Sequence, residues 1–411
     1  MAPVDIVLVH QNMPAQFRHL ALALGADPAV RPVFISRRHG VKMPGVQTAI
    51  YDMAEPGSPS SVRHVRAVEG AVRFAEAAAD AAFALKREGV DPRLVIAHPG
   101  WGEALFLRDI WPKAKILTYA EYYYQPHGGD IGFDPMFPAT PHGLFNARMM
   151  NAQLLLSHEA ADAMLSPTQW QASRHPAILH DRIRVIFEGV DTQRVCPDRT
   201  ARFAVPEGPV LTAEDEVITY IARNLEPHRG FHVFLRALPA LLQARPRAQV
   251  VIVGGDDVSY SPRAPAPHAN WRERMLSEID LRANAARVHF TGKLAYADYL
   301  ALLRISRAHV YLTYPFVLSW SCVEAMAAGC AIVASDTAPV REVIDHGEQG
   351  LLVPFFDGAA LVETVCRVLD DRPLAVRLGE AARNRAVAHY DVRDCLRQQL
   401  LLVHELLGQG T

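Results

Sequence analysis

Two arginines and a histidine lie where a predicted strand passes into a predicted helix. The strand is followed by a loop with Arg223, His228 and Arg229, and the helix begins near Gly230. A helix N-terminus already carries about half a positive charge, so cations there are unfavourable on their own. An anion held by the guanidiniums and by free backbone N–H groups removes that cost, and a pyrophosphate suits two guanidiniums better than a carboxylate does. The alternative is a solvated basic loop in which Arg223 pairs with Glu226.

A second strand–loop–helix segment carries a carboxylate. Ser321-x-x-Glu324 fits a capping box, in which the glutamate only satisfies the start of the helix. Alternatively, Glu324 accepts hydrogen bonds from two vicinal hydroxyls, as an acidic residue does on ribose in Rossmann-type domains. The spacing alone leaves both interpretations open.

The composition is that of a folded α/β protein. The chain has 411 residues, 50% hydrophobic and 21% charged, which excludes general disorder and favours two domains. A net charge of −2 gives no reason to expect nucleic-acid binding. No apolar run reaches the roughly 20 residues of a membrane span, and the first residues lack the basic region of a signal peptide. The five cysteines are scattered without CxxC spacing, so we expect a reducing, cytoplasmic location and neither disulfides nor a zinc site.

Short apolar runs alternate with amphipathic ones along the chain, which predicts parallel sheets covered by helices. The predicted strands form two series, one before and one after a proline-containing segment at 203–215. We therefore expect an α/β architecture of two Rossmann-like domains facing a cleft. Predicted helices include 61–87, 271–283 and 340–345, and residues 256–270 are predicted to be a loop.

The second half resembles the nucleotide-binding domain of retaining glycosyltransferases of family four, which have the GT-B fold. The matching segments keep the family's order along the chain: Arg223…Arg229-Gly230, 251–255, 288–294, 324–336, 339–342 and 347–354. The N-terminal half resembles one bacterial branch of that family through Val9–Arg18 and Gly132–Pro135. The resemblance implies an acceptor-side domain over 1–182, a nucleotide-sugar-binding domain over 183–390, and a helix within 391–411 that returns to the first domain.

The resemblance also implies a nucleotide-diphosphate sugar as the donor substrate, retention of configuration, and neither a cofactor nor an obligatory metal. Arg223 and Arg229 would hold the diphosphate and act catalytically by neutralising it, while Glu324 would hold the ribose hydroxyls. The donor-binding residues expected on this basis are Arg223, Arg229, Gly255, Gly292, Lys293, Leu294, Ser319, Trp320 and Glu324.

One position departs from the family pattern. The family usually has a second glutamate eight residues before the ribose-binding one, in contact with the donor sugar, and this chain has Phe316 there. Backbone amides near Ser319 and Trp320 are the expected substitutes. The departure bears on the identity of the donor sugar more than on the transferase assignment.

The N-terminal half would bind the acceptor. Ligands of doubly wound sheets bind beyond the carboxyl ends of strands, so residues directly after strands are the candidates. His98 and Glu121 are the catalytic candidates there, although His98 could equally be a loop histidine and Glu121 a surface ion-pair partner. The expected acceptor-side residues are His10, Gln11, Asn12, His127 and Asp130.

The expected function is transfer of a sugar to a hydroxyl of a glycan, lipid-linked or small-molecule acceptor, in bacterial polysaccharide or glycoconjugate biosynthesis. A basic cluster either contacts an anionic membrane at its inner face, as a peripheral protein would, or is a solvated surface; it comprises Arg37, Arg38, Lys42, Arg63, Arg66 and Arg73. A sugar-nucleotide epimerase and a non-catalytic nucleotide-sugar-binding partner remain alternatives. A dehydrogenase is disfavoured because no GxGxxG follows the first strand.

Overall fold

The computed structural model describes residues 3–53 and 62–408. Their strands, in chain order, are β1 Val4–Val9, β2 Val30–Ser36, β3 Gln47–Ile50, β4 Leu94–Ala97, β5 Lys115–Tyr119, β6 Ala163–Ser166, β7 Ile183–Val185, β8 Arg202–Ala204, β9 Val210–Thr212, β10 Val217–Asn224, β11 Gln249–Gly255, β12 Val288–Gly292, β13 Ala308–Tyr311, β14 Ile332–Ser335 and β15 Leu351–Val353.

The α-helices are α1 Arg18–Ala26, α2 Arg66–Arg87, α3 Leu107–Ile110, α4 Pro141–Glu159, α5 Gln169–Ser173, α6 Phe231–Ala244, α7 Trp271–Leu276, α8 Tyr296–Ile305, α9 Trp320–Ala327, α10 Ala338–Arg341, α11 Gly358–Asp370, α12 Arg372–Tyr390 and α13 Val392–Leu406. Short 3₁₀ segments occur at Ala15–Phe17, Arg63–Val65, Ala177–Arg182, Pro227–Arg229 and Arg282–Arg287.

The chain forms two compact units, one of residues 1–189 with 392–411 and one of residues 190–391. The first contains a parallel sheet in the order β3-β2-β1-β4-β5-β6-β7. Residues 6–9 of its central strand β1 are fully buried on both faces, as expected for a strand with helices above and below. Helix α2 packs on one face, and helices α1 and α13 pack on the other.

The domain boundary differs from the expected one between residues 182 and 183. Strand β7 pairs with β6 through Met164 and Ile183, so residues 183–185 extend the first sheet, and the first unit continues to Gly189. Helix α13 belongs to this unit as well, because Leu402, Val403 and Leu407 share a buried core with β1. The proline-containing segment 203–215 lies inside the second unit, where β8 and β9 form an antiparallel pair.

The second unit contains a parallel sheet in the order β12-β11-β10-β13-β14-β15. Helix α6, which follows the central strand β10, buries Phe231, Phe234, Leu235 and Leu238 on one stripe. The helix predicted over 271–283 ends at Leu276 and is followed by a 3₁₀ segment. The helix predicted over 340–345 is the short α10, and the helix predicted to begin at residue 61 begins at Arg66; residue 61 itself lies outside the described residues.

Two buried histidines make the stability of each unit sensitive to acid. Burial lowers the pKa of His175 in the first unit and of His309 in the second to about 4, from a usual 6.5. Above pH 6.5 both are neutral in the folded and unfolded chains. As the pH falls toward 4 only the unfolded chain gains the protons, so each histidine costs about 2 kcal/mol between pH 7 and pH 5.

We therefore expect the urea midpoint of unfolding to fall on going from pH 7.5 to pH 5. His309→Gln, which retains a hydrogen-bonding group for Thr219, should make the decline shallower. A midpoint that is the same at both pH values would contradict this account.

Candidate functional site

The loop after β10 is shaped by Gly230. This residue has φ +71°, in the left-handed region, and serves as the N-cap of α6. A Cβ at this position would lie 2.3 Å from the Cβ of Leu312. Both the backbone conformation and the close approach therefore require glycine, and together they place Arg229 at the start of the helix.

Arg229 is a buried cation. Its side chain is anchored by Nη1, which donates to Thr313 Oγ1 at 2.8 Å and to the Val317 carbonyl at 3.0 Å. The ring of Tyr260 lies 5.4 Å from the guanidinium carbon. Burial acts to lower the pKa of Arg229, but neighbouring tyrosines and Glu226 raise it overall, so the side chain stays protonated.

No carboxylate among residues 3–53 and 62–408 forms an ion pair with Arg229. Glu226, which is 1% exposed, instead accepts three backbone hydrogen bonds through Oε2, from Ser259, Tyr260 and Ser261. These bonds anchor the predicted loop 256–270 against the Arg229 segment. The arrangement leaves a buried positive charge at a helix N-terminus, which is the electrostatic setting of an anion site.

Arg223 is exposed at the end of β10. The alternative in which it pairs with Glu226 is not what the structure shows, since Glu226 bonds to the 259–261 backbone. In the described part of the chain Arg223 has no ion-pair or hydrogen-bond partner. Its guanidinium is therefore available to a ligand at the carboxyl end of the sheet.

Glu324 is bound by two tyrosines and not by the helix start. The Tyr296 hydroxyl donates to Oε1 and the Tyr299 hydroxyl to Oε2, both at 2.7 Å. The N-cap of α9 is Ser319, whose Oγ accepts from the Ser321 N–H at 3.3 Å. The capping-box interpretation of Ser321 and Glu324 is therefore wrong.

The remaining donor-side predictions lie at the ends of β11, β12 and β13. A Cβ on Gly255 would lie 2.6 Å from Lys293 Cε and 2.7 Å from Asn224 Oδ1, so a larger residue there would have to displace these two side chains. Gly292 has φ +68°, and the side chain after it, Lys293, is exposed. Within the same segment Leu294 is half-buried.

The loop before α9 is packed by aromatic rings. Phe316 is 5% exposed and lies among His228 and Tyr260, with ring centroids 5.3 and 4.8 Å away. The Ser319 N–H, expected to face the sugar, donates to the Tyr311 hydroxyl at 3.0 Å. Trp320 is 45% exposed.

In the first unit, the structure brings together three predicted residues, His10, His98 and Glu121. Gln16, which was not among the predicted site residues, links His10 to Glu121. His10 Nε2 is 2.9 Å from Gln16 Oε1, and Gln16 Nε2 donates to Glu121 Oε1 at 2.7 Å. His98 Nε2 lies 3.3 Å from Glu121 Oε2, without the alignment of a full hydrogen bond. Residues from the ends of β1, β4 and β5 thus converge on one carboxylate, as the topology requires.

The hydrogen bonds assign the tautomers of the two histidines. Asn12 N–H donates to His10 Nδ1 and Gly100 N–H to His98 Nδ1, so both rings carry their proton on Nε2. Both histidines are buried, whereas the Glu121 side chain is 29% exposed. Burial, together with the proximity of His98, also lowers the pKa of His10, which stays neutral. Glu121 is therefore more accessible to a ligand than either histidine.

The other acceptor-side predictions have simpler surroundings. Asp130 Oδ1 accepts from the Tyr122 hydroxyl at 2.8 Å, and the His127 side chain is exposed while its carbonyl accepts from Arg174. Gln11 is half-buried and Asn12 exposed. These residues were predicted only from their position after a strand. None of the described side-chain contacts connects them to the group of His10, Gln16, His98 and Glu121.

The basic cluster of the first unit is partly engaged within the fold. Arg73 pairs with Glu69 at 2.6 Å, and Arg38 donates to the Met13 carbonyl at 3.3 Å, whereas Arg63 is exposed. Within the described residues no helix has the length and apolar content needed to cross a bilayer. Membrane contact stays a prediction.

Two family models match the chain. The model described as "Glycosyl transferase family 4 group" matches residues 29–195, and the one described as "Glycosyl transferases group 1" matches residues 207–385. The matches support a family 4 glycosyltransferase of the GT-B fold, and the predicted fold class is confirmed.

Individual relatives agree with this class. Over 201 residues the chain is 31% identical to phosphatidyl-myo-inositol mannosyltransferase of Mycobacterium tuberculosis, covering 48% of this chain and 49% of the relative. The match thus spans about half the length of that relative. Sucrose-phosphate synthase from Thermosynechococcus elongatus has a similar structure, with a TM-score of 0.72, 19% identity and coverage of 99% and 100% of the two chains. Anabaena HepE in complex with UDP-glucose gives a TM-score of 0.67, 16% identity and coverage of 98% and 99%.

The tight approach at Gly230 can be tested by substitution. Gly230→Ala should destabilise the protein by more than the roughly 1 kcal/mol that left-handed backbone strain costs alone, because the new Cβ meets Leu312. Gly347→Ala is the matched control, since Gly347 has φ +86° but nothing within 4 Å of the added Cβ. Equal losses of unfolding free energy in chemical denaturation would contradict a packing role for Gly230.

Proposed function

We propose that this protein transfers a glycosyl group from a nucleoside-diphosphate sugar to an acceptor hydroxyl, with retention of anomeric configuration. The observation that carries the proposal is the buried Arg229 guanidinium at the start of α6, with no carboxylate partner among the described residues. Burying a charge that forms no ion pair is costly, so this position is better explained by an anionic ligand than by stability.

The second unit supplies the donor site in this proposal. Arg229 and the exposed Arg223 bind the diphosphate, and the α6 N-terminus adds backbone N–H donors. Glu324 accepts the ribose hydroxyls, and the backbone of 292–294 contacts the base. Because HepE was solved with UDP-glucose, UDP-sugars are the first donors to test.

The reaction is driven by charge stabilisation on the leaving group. When the bond between the anomeric carbon and the diphosphate oxygen breaks, Arg223 and Arg229 neutralise the charge that develops on that oxygen. The acceptor oxygen then bonds to the same face of the anomeric carbon, and its proton passes to the leaving phosphate. This step needs no metal and no enzyme nucleophile, in keeping with the expectation that neither a metal nor a cofactor is required.

The first unit supplies the acceptor side. Glu121 is partly exposed and belongs to a group that includes His10, Gln16 and His98, and its carboxylate is the type of group that accepts hydrogen bonds from sugar hydroxyls. The proposal also includes a glycan, lipid-linked or small-molecule acceptor and a role in bacterial polysaccharide or glycoconjugate synthesis. The proposed location is cytoplasmic or peripheral at the inner face of the membrane. The aromatic surroundings of Phe316 indicate that the donor sugar is not held by a carboxylate at that position.

The arginine roles predict large losses of activity. Arg229→Ala and Arg223→Ala should each lower transferase turnover by two decades or more, about 2.7 kcal/mol of transition-state stabilisation. Arg229→Lys should retain more activity than Arg229→Ala because it keeps the charge. Arg282→Ala, which removes only an exposed pair with Asp280, is the control. Single-turnover rates of both alanine variants within threefold of the wild type would refute the role.

The Glu121 network predicts a different pattern. Glu121→Gln and His98→Ala should lower turnover while leaving nucleotide affinity unchanged, because both residues belong to the first unit. Isothermal titration calorimetry with UDP would measure affinity separately from a transfer assay. Full turnover in both variants would show that neither residue is catalytic.

A donor screen followed by a turnover assay distinguishes the alternative functions. A thermal-shift screen of UDP-, GDP-, ADP- and TDP-sugars identifies a donor, since a ligand stabilises in proportion to the logarithm of its concentration over its Kd. The best donor is then incubated without acceptor. Conversion to an epimer would identify an epimerase, and binding without turnover under any acceptor would identify a non-catalytic partner.

A further inference from the structure

The Glu324 carboxylate is held from one side by helix α8. The two donors, Tyr296 and Tyr299, are three residues apart and so lie on one face of that helix. Each hydroxyl reaches a different carboxylate oxygen at 2.7 Å. A residue with two fixed hydrogen bonds loses its freedom to rotate, so the plane of the Glu324 carboxylate is determined by α8.

The two bonds also determine what the carboxylate can still accept. An ionised carboxylate has about four acceptor positions, two on each oxygen. The tyrosines occupy one on each, which leaves one on each oxygen for a ligand. Two neighbouring acceptor positions on separate oxygens match the two hydroxyls of a vicinal diol.

We infer that Tyr296 and Tyr299 are positioning residues that orient Glu324 to receive the two ribose hydroxyls of the donor nucleotide. The inference rests on the proposed role of Glu324 in nucleotide binding. Neither tyrosine was selected from the sequence, and no conserved motif is needed to recognise them. Both hydroxyls donate to Glu324, so replacing either tyrosine by phenylalanine removes one of these bonds and keeps the ring.

The hydroxyls have a second effect on Glu324. Burial raises the pKa of this carboxyl, and the hydrogen bonds from Tyr296 and Tyr299 lower it, so the tyrosines favour the ionised, accepting form. Removing one hydroxyl should therefore shift the protonation of Glu324 to higher pH. A protonated carboxyl has fewer acceptor positions and binds a diol less well.

Two charged groups and a thiol also face this cluster. The Arg194 guanidinium lies 4.7 Å from the Tyr296 ring and acts to lower the pKa of Tyr296, whereas Asp191 acts to raise it. Cys330 faces Tyr299, and burial raises the pKa of its thiol to about 12. The Cys330 thiol therefore stays protonated between pH 6 and pH 8.

The test measures nucleotide affinity as a function of pH. UDP, GDP and ADP are titrated calorimetrically into the wild type, and the tightest binder is used at pH 6 and pH 8 with Tyr299→Phe, Tyr296→Phe and the double variant. We expect each single variant to bind about threefold more weakly at pH 8, in line with loss of one hydrogen bond to a charged group. At pH 6 the loss relative to the wild type should be larger than at pH 8, because a variant that lacks one hydroxyl protonates Glu324 more readily.

Two reference variants separate the inference from the proposed function. Glu324→Gln removes the charge and should bind weakly at both pH values, so a wild-type affinity would overturn both the role of Glu324 and the inference. If Glu324→Gln binds weakly but the tyrosine variants follow the wild-type pH profile, only the inference is overturned.

Tyr51→Phe removes a comparable bond to Glu103 in the first unit and should leave affinity within about twofold. Thermal unfolding checks each variant, and the half-exposed Tyr296→Phe gives the same test if Tyr299→Phe does not fold.

Discussion

The structure depends on a positive charge that is buried where a helix begins. Arg229 is held by Thr313 and the Val317 carbonyl, both neutral acceptors, so its charge is oriented but not neutralised within the described residues. The nearby Glu226 is committed to three backbone N–H groups. The protein therefore maintains an electrostatically unfavourable arrangement, and the anion of the proposed donor would relieve it.

Parallel sheet topology places the rest of the chemistry. In both units, polar residues follow directly after strands that are buried on both faces, and the carboxyl ends of those strands lie at one edge. In the second unit this edge carries Arg223, Arg229 and Gly255. In the first it carries His10 and His98, two buried histidines whose rings both bear the proton on Nε2. The same kind of parallel sheet thus positions different chemistry in the two units. The second unit presents cationic groups, and the first presents hydrogen-bonding groups around a carboxylate.

Neutral donors and acceptors, not ion pairs, orient the functional side chains. Glu324 is held by tyrosine hydroxyls, and Glu121 accepts from the Gln16 amide. Such contacts fix direction without cancelling charge, so each charged group keeps its capacity to interact with a substrate. An ion pair at any of these positions would hold the side chain as firmly. It would also reduce the interaction free energy between that side chain and a bound ligand.

The sequence by itself determined the α/β class, the alternation of strands and helices, and the Arg-Gly pair at the start of α6, because these depend on local periodicity and on neighbouring residues. It did not determine the cap of α9, which is Ser319, since two serines at suitable spacing compete and only packing selects one. It also could not show that Gln16 meets Glu121, 105 residues away, or that tyrosines on α8 hold Glu324. Contacts of that kind are decided by which strands become neighbours and how the helices pack between them, and no local pattern of residues records either.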